Sequence, residues 1–310
     1  MKIVFMGTPD FSVGCLDALI KSKHEVVGVF TREDKPKNRG MAMQMPPVKE
    51  LALTHNIPVF QPKSVKTDES FEILKELNAD IYVVVAYGRI LPKRVLELPQ
   101  HGCINVHASL LPKYRGASPI QAVIVNGETE TGVTIMQMNE GLDTGDILHV
   151  KKTPISEDDT GGTLHDRLAV MGAEALIEYL DILEKGERVA VKQDDALSNY
   201  APLITKNDGK VSFENSANKI ANQIMGYAPW PGTFADLGNT TIKFYGGYAV
   251  EKTGEHEDFG AIDSVSADGM IVKCKVGKIL IKEIQKSGGK RMTPDSFFRG
   301  RPELLKERFN

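Results

Sequence analysis

Asp80-Ile81-Tyr82-Val83-Val84-Val85-Ala86 is an almost unbroken apolar run, rich in β-branched residues. A strand wetted on one side alternates polar and apolar residues; this one does not, so it belongs inside a parallel sheet covered on both faces. Working outward, residues 2–6 and 25–31 (Val26, Val27, Val29, Phe30) read as two more compact strands. Between them Phe11, Cys15, Leu16, Leu19 and Ile20 form the inward stripe of a helix. A helix at 48–55, a short strand at 58–60 and a further helix lined by Phe71, Leu74 and Leu77 continue the alternation. Strands interleaved with helices imply an α/β fold: a Rossmann-like, mostly parallel sheet with helices on both faces. The first turn carries Gly7, Pro9 and Gly14 in place of GxGxxG, which argues against a dinucleotide site.

Downstream lies a second buried strand, Cys103-Ile104-Asn105-Val106-His107, followed by Ala108-Ser109-Leu110-Leu111-Pro112-Lys113-Tyr114-Arg115-Gly116. Side chains alternate across a strand, so Asn105 and His107 share the face opposite Ile104 and Val106. They stand at the carboxyl end of their strand, the edge where ligands bind in open α/β sheets. An amide donor beside an imidazole is suited to stabilising an oxyanion. Asn139-Glu140-Gly141-Leu142-Asp143-Thr144-Gly145-Asp146 then sets a carboxylate between two glycines, whose backbone freedom lets the loop fold in close. A carboxylate beside His107 favours the imidazolium and orients the ring. A helix at 118–125, strands at 131–138 and 146–153, and a long helix capped by Thr160 or Thr163 and ended by Gly186 complete this part. His165, early in that helix, is expected at the surface.

The Asn105-x-His107 pair, the Ser109-Leu110-Leu111-Pro112 run, Arg115-Gly116 and Gly141-Leu142-Asp143-Thr144-Gly145 resemble the signature of the 10-formyltetrahydrofolate-dependent formyltransferases. The resemblance extends from the first strand into the C-terminal part and points to the branch acting on methionine carried by initiator tRNA. It implies 10-formyltetrahydrofolate as co-substrate, no metal, and catalysis by Asn105, His107 and Asp143. It also implies that the backbone of Tyr87, Gly88 and Ile90 holds the pterin ring and that Ser109, Leu110, Leu111 and Pro112 help bind the formyl donor. The loop of residues 32–45 has no periodicity and reads as long and exposed. In the resembled family the corresponding loop enters the tRNA acceptor stem, and Arg39-Gly40 matches its arginine and glycine. Met41, Ala42 and Met43 stand where lysines are frequent in the family.

At 310 residues the chain is long enough for two domains. Loss of periodicity places a linker at 187–209, between a catalytic domain (1–186) and a C-terminal domain (210–310). In the latter, Ile220, Ile224 and Met225 mark a helix within 213–227, and Pro229-Trp230-Pro231-Gly232-Thr233 breaks it. Short strands follow at 241–245, 261–265, 270–276 and 278–284, with turns at Gly246-Gly247, Asp268-Gly269 and Gly277, the rhythm of a small OB-like β-barrel. The net charge of −3 divides unevenly, −6 over residues 1–209 and +3 over 210–310. Lys273, Lys275, Lys278, Lys282, Lys286, Lys290 and Arg291 form a stripe facing only Glu283 as a nearby acid, able to follow tRNA phosphates. A solvated strand face reads equally well from charge alone. Cys15, Cys103 and Cys274 lie far apart, without a CxxC pair, which argues against disulfides and zinc and suits a reducing cytoplasm. The opening apolar run is too short for a signal peptide or membrane span. A monomer is expected.

Competing readings are a formyltransferase acting on an amino-sugar nucleotide, a formyl-folate hydrolase, a nicotinamide-dependent dehydrogenase and a non-catalytic RNA-binding protein. The glycine pattern disfavours the dehydrogenase, and mere RNA binding leaves Asn105, His107 and Asp143 unexplained.

Overall fold

The structure, a computed structural model, describes every residue except 38–41. Strands follow in chain order as β1 (Lys2–Gly7), β2 (Glu25–Phe30), β3 (Lys35–Lys37), β4 (Ala42–Gln44), β5 (Val59–Phe60), β6 (Ile81–Val85), β7 (Cys103–His107), β8 (Arg115–Gly116), β9 (Glu130–Gln137) and β10 (Ile147–Pro154). The helices among them are α1 (Val13–Lys21), α2 (Pro47–Thr54), α3 (Asp68–Leu77), α4 (Lys93–Leu96), α5 (Pro119–Val125) and α6 (Gly161–Glu184). The main sheet has the order β10-β9-β7-β6-β1-β2-β5. Five strands from β5 to β7 run parallel, and β9 returns antiparallel to β7. Strand order reverses beside β1, so the carboxyl ends of β1 and β6 flank the crevice where such folds take ligands.

Alternation assigns the layers. Val4, Met6, Tyr82, Val84 and Cys103 pack with Leu74 of α3 and Val95 and Leu96 of α4. The opposite face carries α1 and α6: a Cβ at Gly172 would touch Val106, Cys15 and Val133 at 3.1 to 4.0 Å. The sheet is therefore covered on both sides, and all five residues of β6 are buried. Local signals set the helix ends: Thr67 caps α3 through Ser70 N, and Asn78 closes it in the left-handed region. At the start of α6, Thr160 Oγ1 accepts from Thr163 N while Thr163 Oγ1 accepts from Thr160 N, so both threonines take part in the cap. His165, expected at the surface, is partly exposed, with its ring packed edge-on against Phe11 at 5.4 Å.

The expected loop at 32–45 is also different. Its flanks pair as an antiparallel ribbon, Lys35 to Gln44 and Pro36 to Met43. Arg39 lies outside the described residues.

The second part of the chain contains β11 (Tyr200–Ala201), α7 (Ala217–Gly226), β12 (Thr233–Leu237), β13 (Thr240–Glu255), β14 (Ile262–Ser266), β15 (Gly269–Lys273), β16 (Val276–Lys286), β17 (Arg291–Met292) and α8 (Pro294–Arg299). Strands β12-β13-β16-β15-β14 form an antiparallel sheet, with β17 added to β16. Phe213, Phe244 and Phe309 cluster in its core. The expected turn at Gly246-Gly247 does not exist. β13 runs straight through it, paired with β16 from Ile242 to Ala249. Glycine is required there because α7 crosses close above: a Cβ on Gly247 would lie 2.8 Å from Ile224.

Compact units do not follow the linear boundaries expected above. The first comprises 1–116, 131–153 and 165–200; the second comprises 117–130, 154–164 and 201–310. Helix α5 joins the second because Val125 and Gln121 abut Gly226 of α7. Residues 187–200, expected as linker, belong to the first.

Candidate active site

Strand β7 delivers Asn105 and His107 to one face, as alternation requires, in register with Met136 and Thr134 of β9. His107 is buried, and its Nε2 lies 2.9 Å from the Tyr114 carbonyl oxygen. That carbonyl can only accept, so Nε2 carries the proton in this contact. Nδ1 is left facing Asp143, whose Oδ2 is 3.8 Å away. This is ion-pair reach without a direct hydrogen bond. Oδ2 also accepts from Gly116 N at 2.8 Å. The Asn105 side chain is half-buried and has no hydrogen-bond partner among the described residues.

The Asp143 loop reaches this position by two devices. Asp143 itself, not a glycine, takes the left-handed backbone (φ 53°), which aspartate tolerates. Gly145 serves for close approach, since a Cβ there would overlap the Gln137 carbonyl. The turn after β7 is tied as tightly. Ser109 Oγ donates to Lys113 O at 2.7 Å, and Thr134 Oγ1 donates to Ser109 O at 2.6 Å while accepting from Leu111 N at 3.2 Å.

The Ser109 and Leu111 side chains are buried, and Ser109 braces the loop through its hydroxyl; Leu110 and Pro112 are partly exposed. Tyr87 is likewise buried, with no partner for its hydroxyl among the described residues, and burial pushes its phenol up. The backbone after β6 is more open. Gly88 and Ile90 are exposed, and the N–H groups of Gly88, Arg89 and Ile90 have no backbone partner among the described residues. Arg32 shapes this turn by donating to Tyr87 O at 3.2 Å and to Gly88 O. Gly88 sits at φ 69°, where a Cβ would overlap the Arg32 guanidinium. Backbone donors left without a partner among the described residues, at the switch point, suit the polar edge of a flat heterocycle.

Sequence reasoning missed three residues here. Arg32 falls in the aperiodic stretch 32–45, which carries no local signal for its role. Gln193 and Asn199 fell in the expected linker, where aperiodicity hid them. Gln193 Nε2 donates to Asp143 O and Gly145 O at 2.8 and 2.7 Å, and Asn199 Oδ1 accepts from Tyr114 N.

The C-terminal stripe needs correction. Lys273 pairs with Asp258 at 2.8 Å, and Lys278 with Asp263 at 3.2 Å and Glu251 at 3.4 Å, so Glu283 is not the lone acid nearby. Glu283 itself pairs with Arg291. Lys275 and Lys282 are exposed and carry no ion pair among the described residues. The pairing follows from strand register, which brings Lys273 beside Lys278 within reach of Asp263. Among the described residues no cluster of His, Cys, Asp and Glu could hold a metal, and no helix is long and apolar enough to cross a membrane.

A family profile described as formyl transferase matches residues 1–180, and the formyl transferase C-terminal domain matches 203–302. A methionyl-tRNA formyltransferase of Geobacter sulfurreducens is 47% identical over 97% of this chain and 94% of its own length. One from Alkaliphilus oremlandii is 48% identical over 94% of each. Among solved structures, an N-formyltransferase from Helicobacter canadensis, in complex with folinic acid and dTDP-3-aminofucose, shares the fold. Its TM-score is 0.70 at 20% identity, over 91% of this chain and 99% of that one. HypX from Aquifex aeolicus, in complex with tetrahydrofolic acid, matches with a TM-score of 0.61 at 16% identity, over 99% of this chain and 48% of its own. The chain therefore belongs to the formyl transferase family and is an enzyme of that family, with methionyl-tRNA formyltransferases as its curated relatives.

Proposed function

We propose that this enzyme transfers the formyl group of 10-formyltetrahydrofolate to the free amino group of methionine on initiator tRNA, in the cytoplasm, to serve translation initiation. The observation that carries the chemistry is His107, with Nδ1 3.8 Å from Asp143 and, on the same strand face, the amide of Asn105, which has no hydrogen-bond partner among the described residues. The amine nitrogen attacks the formyl carbon, forming a C–N bond and pushing the carbonyl electrons onto oxygen. Asn105 Nδ2 and protonated His107, through Nδ1, donate to that oxyanion. Asp143 orients the ring and takes the amine's proton, directly or through water. Collapse breaks the bond to N10 of the folate, which leaves as tetrahydrofolate after gaining a proton.

The open backbone of Gly88 and Ile90 is our candidate for the pterin edge, with Leu110 and Pro112 beside the donor. For the acceptor, Arg39 and the unpaired Lys275 and Lys282 are the candidate phosphate contacts; paired Lys273 and Lys278 contribute less. Residues 1–186 supply the chemistry in this reading, and 210–310 the tRNA surface. Near-full-length identity to methionyl-tRNA formyltransferases favours this acceptor over an amino sugar. Incubation with 10-formyltetrahydrofolate and charged initiator tRNA should yield formylmethionyl-tRNA. Formylation of an amino-sugar nucleotide and not of the tRNA would overturn the acceptor assignment.

A further inference from the structure

We infer that residues 193–199 are a clamp that positions the His107 imidazole from both sides. This inference rests on the proposed role of His107, but its geometry stands apart from the acceptor's identity. The ring lies between two oxygens, Tyr114 O at Nε2 and Asp143 Oδ2 at Nδ1. Each oxygen belongs to a loop residue at positive φ, 60° for Tyr114 and 53° for Asp143. Such backbone conformations persist only where surrounding bonds hold them. The bonds come from one short segment. Asn199 Oδ1 accepts from Tyr114 N, and Asn199 O accepts from Arg115 N at 3.1 Å, fixing the first loop. Gln193 Nε2 donates to Asp143 O and Gly145 O, fixing the second. The other end of the Gln193 amide accepts from Arg115 Nε at 3.0 Å and Nη2 at 2.8 Å, joining the two loops. Arg115 is held in turn by Asp195, 2.7 Å away. Main-chain pairing between Ile147 and Val191 anchors the segment to the edge of the sheet.

Gln193 and Asn199 are thus positioning residues. Neither bonds to His107, but each immobilises one of its two flanking oxygens. The two test variants are Gln193→Leu, which keeps the volume but removes both ends of the amide, and Asn199→Ala. Asn199 is exposed, so its truncation opens no core cavity. Misplacing a reacting group by about 1 Å can cost ~100-fold, so the loss of one brace is expected to lower kcat by about tenfold. The KM for the formyl donor should stay within about twofold, because neither side chain is among the donor-binding candidates. Asn199→Asp retains an acceptor for Tyr114 N and should return kcat to within about twofold of the parent. NMR of the imidazole supplies a readout independent of activity: the His107 ring resonances should move in Gln193→Leu and Asn199→Ala, while those of His256 stay fixed. Unmoved His107 resonances in both variants overturn the clamp whatever the activity. An inactive parent protein with moved resonances would sink the proposed function and leave the clamp standing.

Discussion

The His107 site and the C-terminal lysine strands both show a cluster of polar groups in the sequence, but their groups are held differently. At the site, few groups are present and each loop is tied by bonds of fixed direction: Tyr114 O, Gly116 N, Thr134, Gln193 and Asn199. On the lysine strands, more charges are present, but half-buried Lys273 and Lys278 are spent on Asp258, Asp263 and Glu251. Charge number is therefore a poor guide to function. Direction matters at the buried site, where solvent does not average it away; on the exposed strands only unpaired charges act over distance, and salt screens them.

The largest expected contrast comes from the site. Asn105→Ala and His107→Ala should each lower kcat by about 10²–10³ while circular dichroism stays native. Near-parental turnover in both would remove the oxyanion role. Asp143→Asn keeps an acceptor for Gly116 N but loses the anionic charge, so a kcat loss of about 10²–10⁴ with an unchanged melting profile is expected. A loss of folding in its place would make Asp143 a structural residue.

On the lysine side the effects should be smaller and depend on salt. The Lys275→Ala, Lys282→Ala double variant should weaken tRNA binding and flatten the slope of log K against log salt by about 1–2. Lys273→Ala should barely change that slope, and an equal effect would erase the distinction between paired and free lysines. Within the first region, Gly88→Ala tests the backbone alone, since its φ of 69° and the Arg32 guanidinium both oppose a side chain. It should cost about 1–3 kcal/mol of stability in urea unfolding.

The smallest effect expected is no reaction at all. Burial pushes the Cys15 and Cys274 thiols up to about 12 and raises Cys103 as well. Thiolate is the reactive form, so at pH 8 the native protein should resist a thiol reagent, while all three cysteines react in denaturant. Rapid labelling of the native chain would show that one of these regions opens.

Much of the first region was legible from sequence because strand period and burial are local. Ile81 to Val85 could only be an interior strand, and the two-residue spacing of Asn105 and His107 put them on one face. The Asp143 loop was recognisable by its motif, though the use of its glycines was misread. The second region was less legible: Thr233–Leu237 was hidden behind a Pro-Trp-Pro break, and Gly246-Gly247 looked like a turn. At Gly246-Gly247 the cause is physical: glycine marks turns in isolated chain, but here it permits close packing against Ile224.

By itself, the sequence determined the layered α/β architecture, the shared face of Asn105 and His107, and the chemistry available there, because these follow from side-chain type and period. Only tertiary structure decided which oxygens flank the imidazole, that Gln193 and Asn199 hold them, and which lysines remain unpaired. The Tyr114 contact spans only 7 positions, but those made by Asp143, Gln193 and Asn199 join residues 27 to 85 positions apart, and no local pattern encodes a partner whose place is set by folding of the chain between.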